Sequence, residues 1–257
     1  MLWPLWNRAI EAKRLNRLID DPWSIRLVDE IDYDFRAAFG QPNRGFGVRA
    51  RYGDDLIKAF LKRRGEPACV VALGEGLDTA YWRLGEPEIP WFTVDVPEAI
   101  ETRRSLLPEG ATTQTLPFSA LDFRWMDDLP PDLVPFISAA GLFMYFEEDD
   151  VRELLTQIGA RFPGAELYFD TIPKIFTEHT QKGLRLTPSY RAPPMPWSIS
   201  TEDIRSFLQS IPNWKAVRVR TYTEPYPLAM WPFSVWSRVG FVRRNFMPSL
   251  VHARVMS

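Results

Sequence analysis

Short apolar runs alternate with amphipathic segments through the middle of the chain. The run Ala68–Leu73 is apolar at every position and ends at Gly74, which is typical of a strand buried on both faces. Three further strands are predicted at Trp91–Val94, Leu133–Ala139 and Glu166–Ile172, and helices at Asp78–Leu84, Pro97–Leu107 and Glu147–Arg161. Strands that alternate with helices predict an α/β fold, a doubly wound parallel sheet with helices on both faces.

The first 65 residues have a helical pattern instead. Ile10, Leu15, Leu18 and Ile19 form one rough apolar face, and Ile25, Leu27, Val28 and Ile31 form another. Leu56, Ile57, Phe60 and Leu61 have the spacing of a buried helical stripe, which Gly65-Glu66-Pro67 should end. We therefore expect a helical cover over residues 1–65.

Proline interrupts the alternation after residue 173. Pro188, Pro193, Pro194 and Pro196 forbid long regular elements, so we expect one helix, starting near Ser200 with Asp203 as its capping partner. Such a segment beside a sheet forms a lid or substrate wall, or else a passive connection. The alternation in Lys215–Tyr222 predicts a late edge strand.

These patterns predict a single domain over residues 1–257. Its parts are the cover (1–65), a cofactor-binding core (66–172), the lid segment (173–213) and C-terminal strands (214–257).

Composition narrows the classes of function. The 257 residues include 31 Lys+Arg and 33 Asp+Glu, and the formal charge of −2 gives no electrostatic attraction to nucleic acid. One cysteine (Cys69) and two separated histidines (His179 and His252) argue against a metal site. The chain shows no secretory signal pattern, and its most apolar late stretch, 226–242, is interrupted by prolines and an arginine. We expect a cytoplasmic protein without membrane or nucleic-acid partners.

The turn after the first predicted strand carries the candidate chemistry. Gly74 permits a tight bend, and Gly76 lets a ligand approach the main chain. Asp95 follows the second strand, 21 residues after Gly74, where a carboxylate can accept hydrogen bonds from both hydroxyls of a ribose. Gly-x-Gly can also be a plain turn, and Asp95 can also cap the helix that starts near Pro97.

The acids in this turn bear on which nucleoside would bind. Glu75 and Asp78 stand where a dinucleotide would place its pyrophosphate, and Thr79 replaces the third glycine of the dinucleotide fingerprint. A sulfonium ligand meets no such repulsion. S-adenosylmethionine therefore fits better than NAD, although an NAD-linked oxidoreductase remains an alternative.

Several ordered motifs resemble the leucine carboxyl methyltransferase family and its bacterial polyketide O-methyltransferase branch. The family's first-strand signature is matched by Leu73-Gly74-Glu75-Gly76-Leu77-Asp78-Thr79 and its second-strand signature by Phe92-Thr93-Val94-Asp95-Val96-Pro97. The turn Gly141-Leu142-Phe143-Met144-Tyr145 is similar to a third family motif. The resemblance implies a class I methyltransferase fold: a Rossmann-like, seven-stranded, mostly parallel sheet with an antiparallel strand near one edge. The family's cover starts earlier, which suggests a trimmed start here.

The resemblance also implies roles for individual residues in binding S-adenosylmethionine. Arg51 would pair with the methionine carboxylate, and Arg8 would match a basic residue that reaches the same group. Gly74 and Gly76 would line the methionine and ribose, and Asp95 would hold the ribose hydroxyls. Asp122 and Phe123 would contact the adenine. On the residues alone, Arg51 could instead be a solvated helix residue and Asp122 a turn residue.

One position departs from the family pattern. The family has a glutamate after its fourth strand that receives the cofactor's ammonium group, whereas this chain has Ala140. Backbone carbonyls of residues 138–140, a water molecule or Glu75 could substitute.

The resemblance implies an S-adenosylmethionine-dependent O-methyltransferase that acts on a carboxylate or hydroxyl of a small molecule, such as a polyketide-type metabolite, and releases S-adenosylhomocysteine. An ionised carboxylate needs no general base, whereas a phenol would need one, for which His179 is the candidate. Tyr145 and Tyr190 could orient an acceptor. Because of Ala140, a cofactor-binding homologue without transferase activity is a further alternative. The sequence does not specify the acceptor or the oligomeric state.

Overall fold

The computed structural model describes residues 1–64 and 67–256. One seven-stranded sheet runs through it in the order β3-β2-β1-β4-β5-β7-β6. The strands are β1 (Ala68–Leu73), β2 (Trp91–Val94), β3 (Thr113–Leu116), β4 (Val134–Ala139), β5 (Glu166–Thr171), β6 (Trp214–Thr221) and β7 (Ser249–Val255). The first five are parallel, and β7 is antiparallel to both of its neighbours. The predicted α/β class is confirmed.

Helices precede the sheet and connect its strands. Before the sheet lie α1 (Leu2–Ala12), α2 (Pro22–Glu30), α3 (Phe35–Phe39) and α4 (Gly45–Arg64). The later helices are α5 (Ala80–Arg83), α6 (Pro97–Leu106), α7 (Glu148–Arg161), α8 (Lys174–Gln181), α9 (Ile204–Gln209), α10 (Phe233–Trp236) and α11 (Gly240–Phe246). Short 3₁₀ turns span Phe123–Met126 and Phe143–Tyr145.

Strand β1 is buried on both faces, as its apolar run predicts. Cys69, Val71 and Leu73 belong to one apolar cluster, while Val70 and Ala72 belong to another that includes the face of α4. Successive side chains of a strand point to opposite faces, so β1 contributes to a core on each side of the sheet. A third cluster lies beneath the N-terminal helices.

Several local predictions are wrong. Helix α1 ends at Ala12, and Leu15, assigned to an apolar face, is fully exposed. The region after residue 173 also contains α8, which was not predicted. The four prolines do not interrupt this helix, because all of them follow it in the chain. Helix α9 starts at Ile204 rather than near Ser200, and the Ser200 hydroxyl donates to Asp203 instead of capping the helix.

Two strands have no predicted bounds. Strand β3 is the polar sequence Thr113–Leu116 at one edge of the sheet, and it lacks the apolar run that marks its neighbours. Strand β7 lies within the segment where only unspecified C-terminal strands are predicted. The predicted stop of α4 at Gly65-Glu66, and with it the boundary between cover and core, lies outside the described residues.

Candidate functional site

The bend after β1 and the acid after β2 are joined by a hydrogen bond. Gly74 and Gly76 have φ values of +62° and +50°, a region that glycine adopts without the strain caused by a Cβ. The Gly74 amide donates to the Val94 carbonyl over 2.8 Å, which continues the sheet into the bend. The Gly76 amide donates to Asp95 Oδ2, also over 2.8 Å. The two motifs therefore form one structural unit.

Asp95 keeps capacity for further hydrogen bonds. Its Oδ2 accepts from Gly76 and its Oδ1 from the Val96 amide at 2.8 Å, and the residue is half-buried. Each carboxylate oxygen can accept two hydrogen bonds, so Asp95 can stabilise the bend and still hold a diol.

A small cavity of about 40 Å³ lies where the strand order reverses between β1 and β4. Open α/β sheets bind ligands at this switch point, beyond the carboxyl ends of the strands. Its lining includes Arg49, Gly53, Gly74, Asp78, Ser138, Ala140 and Tyr168.

Arg49, rather than Arg51, is the α4 arginine that lines this cavity. Arg49 is largely buried, and its Nη1 lies 3.5 Å from Asp170 Oδ2. Its guanidinium lies 5.1 Å from the ring centre of Phe46. Arg51 is half-exposed, pairs with Asp55 over 2.9 Å, and is absent from the cavity lining. Of these two arginines, only Arg49 lines the cavity, and a role of Arg51 in donor binding stays a prediction.

Arg8 lies in a buried ionic network beneath the bend. It is 3.5 Å from Asp21 and 3.5 Å from Asp78, and it donates to a main-chain carbonyl of the loop over 2.6 Å. Arg83 joins the same network through Asp54 (2.9 Å), Asp78 (2.8 Å) and Asp21 (3.3 Å). Burial alone would raise the pKa of Asp78, but Arg8 and Arg83 outweigh it and lower that pKa. The network anchors the loop to α1, α2 and α4.

Glu75 contributes to the cavity lining, but its carboxylate is bonded within the protein. It is buried, accepts from Trp91 Nε1 at 3.3 Å and from the Thr93 hydroxyl, and lies 3.4 Å from Arg103. Burial raises its pKa, although Arg103 and Thr93 oppose the shift. These contacts compensate the Glu75 carboxylate and so reduce the charge repulsion expected at the bend, and they hold the side chain away from the role of an acid at Ala140.

The Asp78 carboxylate accepts hydrogen bonds from the main-chain amides at the N-terminus of α5. Its Oδ1 accepts from the amides of Thr79 (2.6 Å) and Ala80 (3.0 Å). These are the groups that a dinucleotide pyrophosphate would use at a helix N-terminus. Helix α5 is also only four residues long, so it offers a weak dipole.

Arg103 of α6 supports the bend from below. Its Nη1 donates to the carbonyls of Gly76 and Asp78, each over 2.7 Å. The Arg103 side chain is buried at the loop, whereas the Arg104 side chain is about half exposed.

An acid from the neighbouring strand lies beside the position where the family has its glutamate. Ala140 lines the cavity with a side chain that cannot accept a hydrogen bond. Asp170, at the end of β5, is buried and accepts from the Gly141 amide and from the Tyr222 hydroxyl, the latter over 2.7 Å. Asp170 therefore contacts the loop that follows Ala140.

Asp122 and Phe123 stand at the start of a 3₁₀ turn. Asp122 Oδ1 accepts from Arg124 Nε at 2.9 Å, and this bond lowers the pKa of Asp122. Phe123 packs against the core cluster below the sheet. Neither residue lines the small cavity.

The three candidate catalytic side chains differ in position. Tyr145 is 41% exposed, and desolvation raises its pKa to about 12 although Arg49 opposes the shift. Tyr190 packs edge-on against Phe39, with 4.7 Å between the ring centres. His179 is exposed on α8 and does not line the cavity.

Arg49 and Asp170 are not among the site residues predicted from the sequence. The stripe Leu56–Phe60 was a usable signal, because Arg49 lies on the same face of α4, seven residues before Leu56. Asp170 was marked by its position at the carboxyl end of a predicted buried strand.

Within residues 1–64 and 67–256, no cluster of three or more His, Cys, Asp or Glu side chains is arranged to hold a metal ion. No helix in this part of the chain has the length and hydropathy needed to cross a membrane.

Comparison with known proteins gives family-level similarity. A sequence model described as leucine carboxyl methyltransferase matches residues 2–159. The tetracenomycin polyketide synthesis O-methyltransferase of Streptomyces glaucescens is 31% identical over 176 residues, which are 67% of this chain and 64% of that protein. An S-adenosyl-L-methionine-dependent methyltransferase of Gibberella zeae is 28% identical over 63% of this chain and 60% of its own. This chain thus matches less than two thirds of these curated relatives' length.

Solved structures are similar in fold. A DUF574 family protein from Streptomyces avermitilis superposes with a TM-score of 0.58 at 11% identity, covering 97% of each chain. The N-methyltransferase NodS from Bradyrhizobium japonicum, solved with S-adenosylhomocysteine, gives a TM-score of 0.50 at 14% identity and covers 98% of this chain and 99% of its own. The architecture is that of a class I methyltransferase.

Proposed function

Because the chain belongs to the leucine carboxyl methyltransferase family, we propose that it transfers the methyl group of S-adenosylmethionine to an oxygen atom of a small molecule. The observation that carries this proposal is the unit formed by Gly74, Gly76 and Asp95 at the strand-order reversal, with Arg49 lining the adjoining cavity. This arrangement offers a close main-chain approach, a diol acceptor and a cation.

The residues present fit the parts of this methyl donor. Gly74 and Gly76 would line its methionine and ribose, and Asp95 would accept from the ribose hydroxyls. Arg49 would pair with the donor's carboxylate, because a guanidinium can bind both carboxylate oxygens. Arg49 Nη1 donates to Asp170, and a guanidinium has five N–H groups, so others remain for a ligand.

The donor requires more space than the small cavity provides. Ligand pockets usually measure roughly 300–1,000 Å³, against about 40 Å³ here. The Met1 side chain lies against Gly76, within 2.8 Å of where a Cβ would stand. Binding the adenosine part of the donor over Gly76 and Asp95 therefore requires Met1 to move aside.

The ammonium group and the adenine of the donor would use other contacts. Main-chain carbonyls of residues 138–140 or a water molecule would receive the ammonium group, since Ala140 has no acceptor. Asp122 would accept from the adenine amino group only by giving up part of its bonding to Arg124, with Phe123 beside the ring. Arg8 would act indirectly, by holding the loop.

Acceptor chemistry favours a carboxylate. The donor supplies an electrophilic methyl group on a sulfonium, and transfer needs an ionised oxygen in line with it. With a pKa of about 12, Tyr145 stays protonated at neutral pH, so it can orient an acceptor but cannot remove its proton. The exposed His179 lies away from the cavity lining. A carboxylate is already ionised at pH 7 and needs no base.

The acceptor would be a flat, apolar molecule. Trp3 lies 5.2 Å from Phe46 and 6.4 Å from Tyr190, and Phe46 packs beneath Arg49. These rings come from α1, α4 and the proline-rich lid segment, and they could stack on an aromatic acid. The relative named as a polyketide synthesis O-methyltransferase supports a polyketide-type acceptor.

Two alternatives make different predictions. An NAD-linked oxidoreductase would need free amides at the start of α5, which Asp78 occupies. A donor-binding homologue without transferase activity would bind the donor and transfer nothing.

The test combines binding and turnover. Calorimetry with S-adenosylmethionine, S-adenosylhomocysteine and NAD should show binding of the first two ligands only. Labelled methyl groups should then appear on aromatic carboxylic acids, with a rate that is flat between about pH 6 and pH 9, because the acceptor is ionised throughout. Binding of NAD alone would overturn the proposal. Donor binding without transfer to any carboxylic acid, phenol or polyketide acceptor would favour the second alternative.

A further inference from the structure

Strand β5 contacts both the main chain and the guanidinium of Arg49. The Tyr168 hydroxyl donates to the main-chain carbonyl of Arg49 over 2.9 Å, and Asp170 Oδ2 lies 3.5 Å from Arg49 Nη1. Tyr168 and Asp170 are two positions apart and so point to the same face of β5. Gly53 permits this approach, because a Cβ there would lie 2.8 Å from the Tyr168 ring.

Asp170 is itself held by two other elements. The Tyr222 hydroxyl, just after β6, donates to its Oδ2 over 2.7 Å, and the Gly141 amide donates to its Oδ1. Asp170 is 1% exposed, and Tyr222 is also buried. One carboxylate therefore links the α4 arginine, the loop after β4 and the end of β6.

Gly141 leaves room for the guanidinium. A Cβ at this position would lie 2.5 Å from Arg49 Nη1. The Arg49 side chain thus lies between the Gly141 main chain and the Phe46 ring, with Asp170 fixing one terminal nitrogen. Such a confined guanidinium is preorganised to bind a planar carboxylate.

We propose that Asp170, supported by Tyr222, is a positioning residue that holds Arg49 in place for the carboxylate of the methyl donor. This inference rests on the proposed function. Asp170 acts through Arg49 and compensates its buried charge, while Arg49 contacts the donor. A variant at Asp170 should therefore weaken binding only of ligands that carry the amino-acid part of the donor.

Two ligands separate this role from a general structural role. S-adenosylhomocysteine has the amino-acid carboxylate, whereas 5′-methylthioadenosine has the same nucleoside and sulfur without it. For Asp170→Asn we expect about a tenfold loss of affinity for S-adenosylhomocysteine, the size of one charge-assisted contact, and less than about a twofold change for methylthioadenosine. In turnover, KM for the donor should rise while kcat stays within about threefold.

Further variants distinguish the proposed role from misfolding and test whether Asp170 acts through Arg49. Tyr222→Phe removes one hydroxyl from Asp170 and should produce the same selective loss, about threefold. Tyr226→Phe is the matched control, because its hydroxyl bonds to Asp55, at 2.6 Å, and should change neither ligand. In an Arg49→Ala background, Asp170→Asn should cause no further loss of S-adenosylhomocysteine affinity.

The outcomes are distinguishable. Equal losses for both ligands, no loss for either, or an additive loss in the Arg49→Ala background would each overturn the positioning role of Asp170. Failure of the unmodified protein to bind S-adenosylhomocysteine at all would overturn the proposed function instead.

Discussion

The main-chain amide of Gly76 donates to Asp95 Oδ2 over 2.8 Å, so the bend after β1 and the end of β2 share one carboxylate. Asp95→Ala removes this bond and the proposed acceptor of the ribose hydroxyls. We expect donor affinity to fall by about 10- to 100-fold, since hydrogen bonds to a charged group contribute about 1.5–3 kcal/mol. Calorimetry with S-adenosylhomocysteine measures the change.

Asp29→Ala is the control for this variant. Asp29 is exposed and pairs with Lys13 on the surface, so its removal should leave donor affinity unchanged. Undiminished binding by Asp95→Ala would contradict the assigned ribose site.

Arg49 and Arg51 form a matched pair of arginines on one helix. Arg49→Ala should lower the affinity for S-adenosylhomocysteine by about tenfold or more, because it removes a charged partner of the carboxylate. Arg51→Ala removes only a half-exposed pair with Asp55 and should change affinity by less than about twofold. Titration of both variants under the same buffer decides between them, and the opposite ranking would restore Arg51 as the anchor.

Alanine variants of three glycines separate the cost of a left-handed backbone conformation from the cost of a steric clash of the new Cβ. Gly74→Ala should destabilise the protein by more than the ~1–2 kcal/mol of a left-handed alanine, because its Cβ would also meet Leu142 at 2.7 Å. Gly85→Ala, with φ of +81° and open space around its Cβ, should cost the strain alone. Gly240→Ala has neither problem and should be close to neutral.

Urea unfolding of these three variants should give the order Gly74, Gly85, Gly240 from most to least destabilised. Equal effects at Gly74 and Gly85 would show that Leu142 moves away without cost.

Glu166 should make stability depend on pH at the opposite end of the sheet. It is buried and accepts from His252 Nε2 (2.8 Å), Arg63 (2.6 Å) and Arg254. Burial would raise its pKa, but the hydrogen bonds from His252 and Arg254 outweigh burial and lower the pKa to about 2. The folded-state pKa is thus below the unfolded value of about 4.3, so this stabilisation is present above pH 4.3 and is lost as pH falls towards 2.

Glu166→Gln should therefore lower the free energy of unfolding by about 1.5–3 kcal/mol at pH 7. The difference from the unmodified protein should shrink as pH falls from about 5 to 3. Glu153→Gln, on the exposed side of α7, is the control. A constant difference across this range would contradict the assigned pKa.

The buried strands could be predicted because a short apolar run identifies each of them without information from the rest of the chain. Strand β1 and strand β2 have the predicted bounds, since each is apolar enough to be buried on both faces. Strand β3, by contrast, is Thr-Gln-Thr-Leu, and what makes it a strand is its register with β2. Its pairing is a tertiary property that a local pattern does not contain.

The geometry of the candidate site could be predicted from the sequence where the ends of neighbouring strands define it. Gly74 and Asp95 follow adjacent parallel strands, and the register Leu73–Val94 brings them together. Arg49, Asp170 and Tyr222 come from three distant segments, so their meeting depends on the packing of α4 against the sheet and on the pairing of β6 with β7. Motif similarity also says nothing about orientation, and for this reason Glu75 was expected to face a ligand although it is buried against Trp91 and Thr93.

Strand β7 follows β6 in the chain but lies between β5 and β6 in the sheet. During synthesis, β6 has no partner until the residues of β7 have left the ribosome, and β5 presents an open edge for the same time. The cluster around Glu166 also waits for this moment, because His252 and Arg254 belong to β7. Assembly of this half of the sheet therefore waits until the seven residues of β7 have been synthesised.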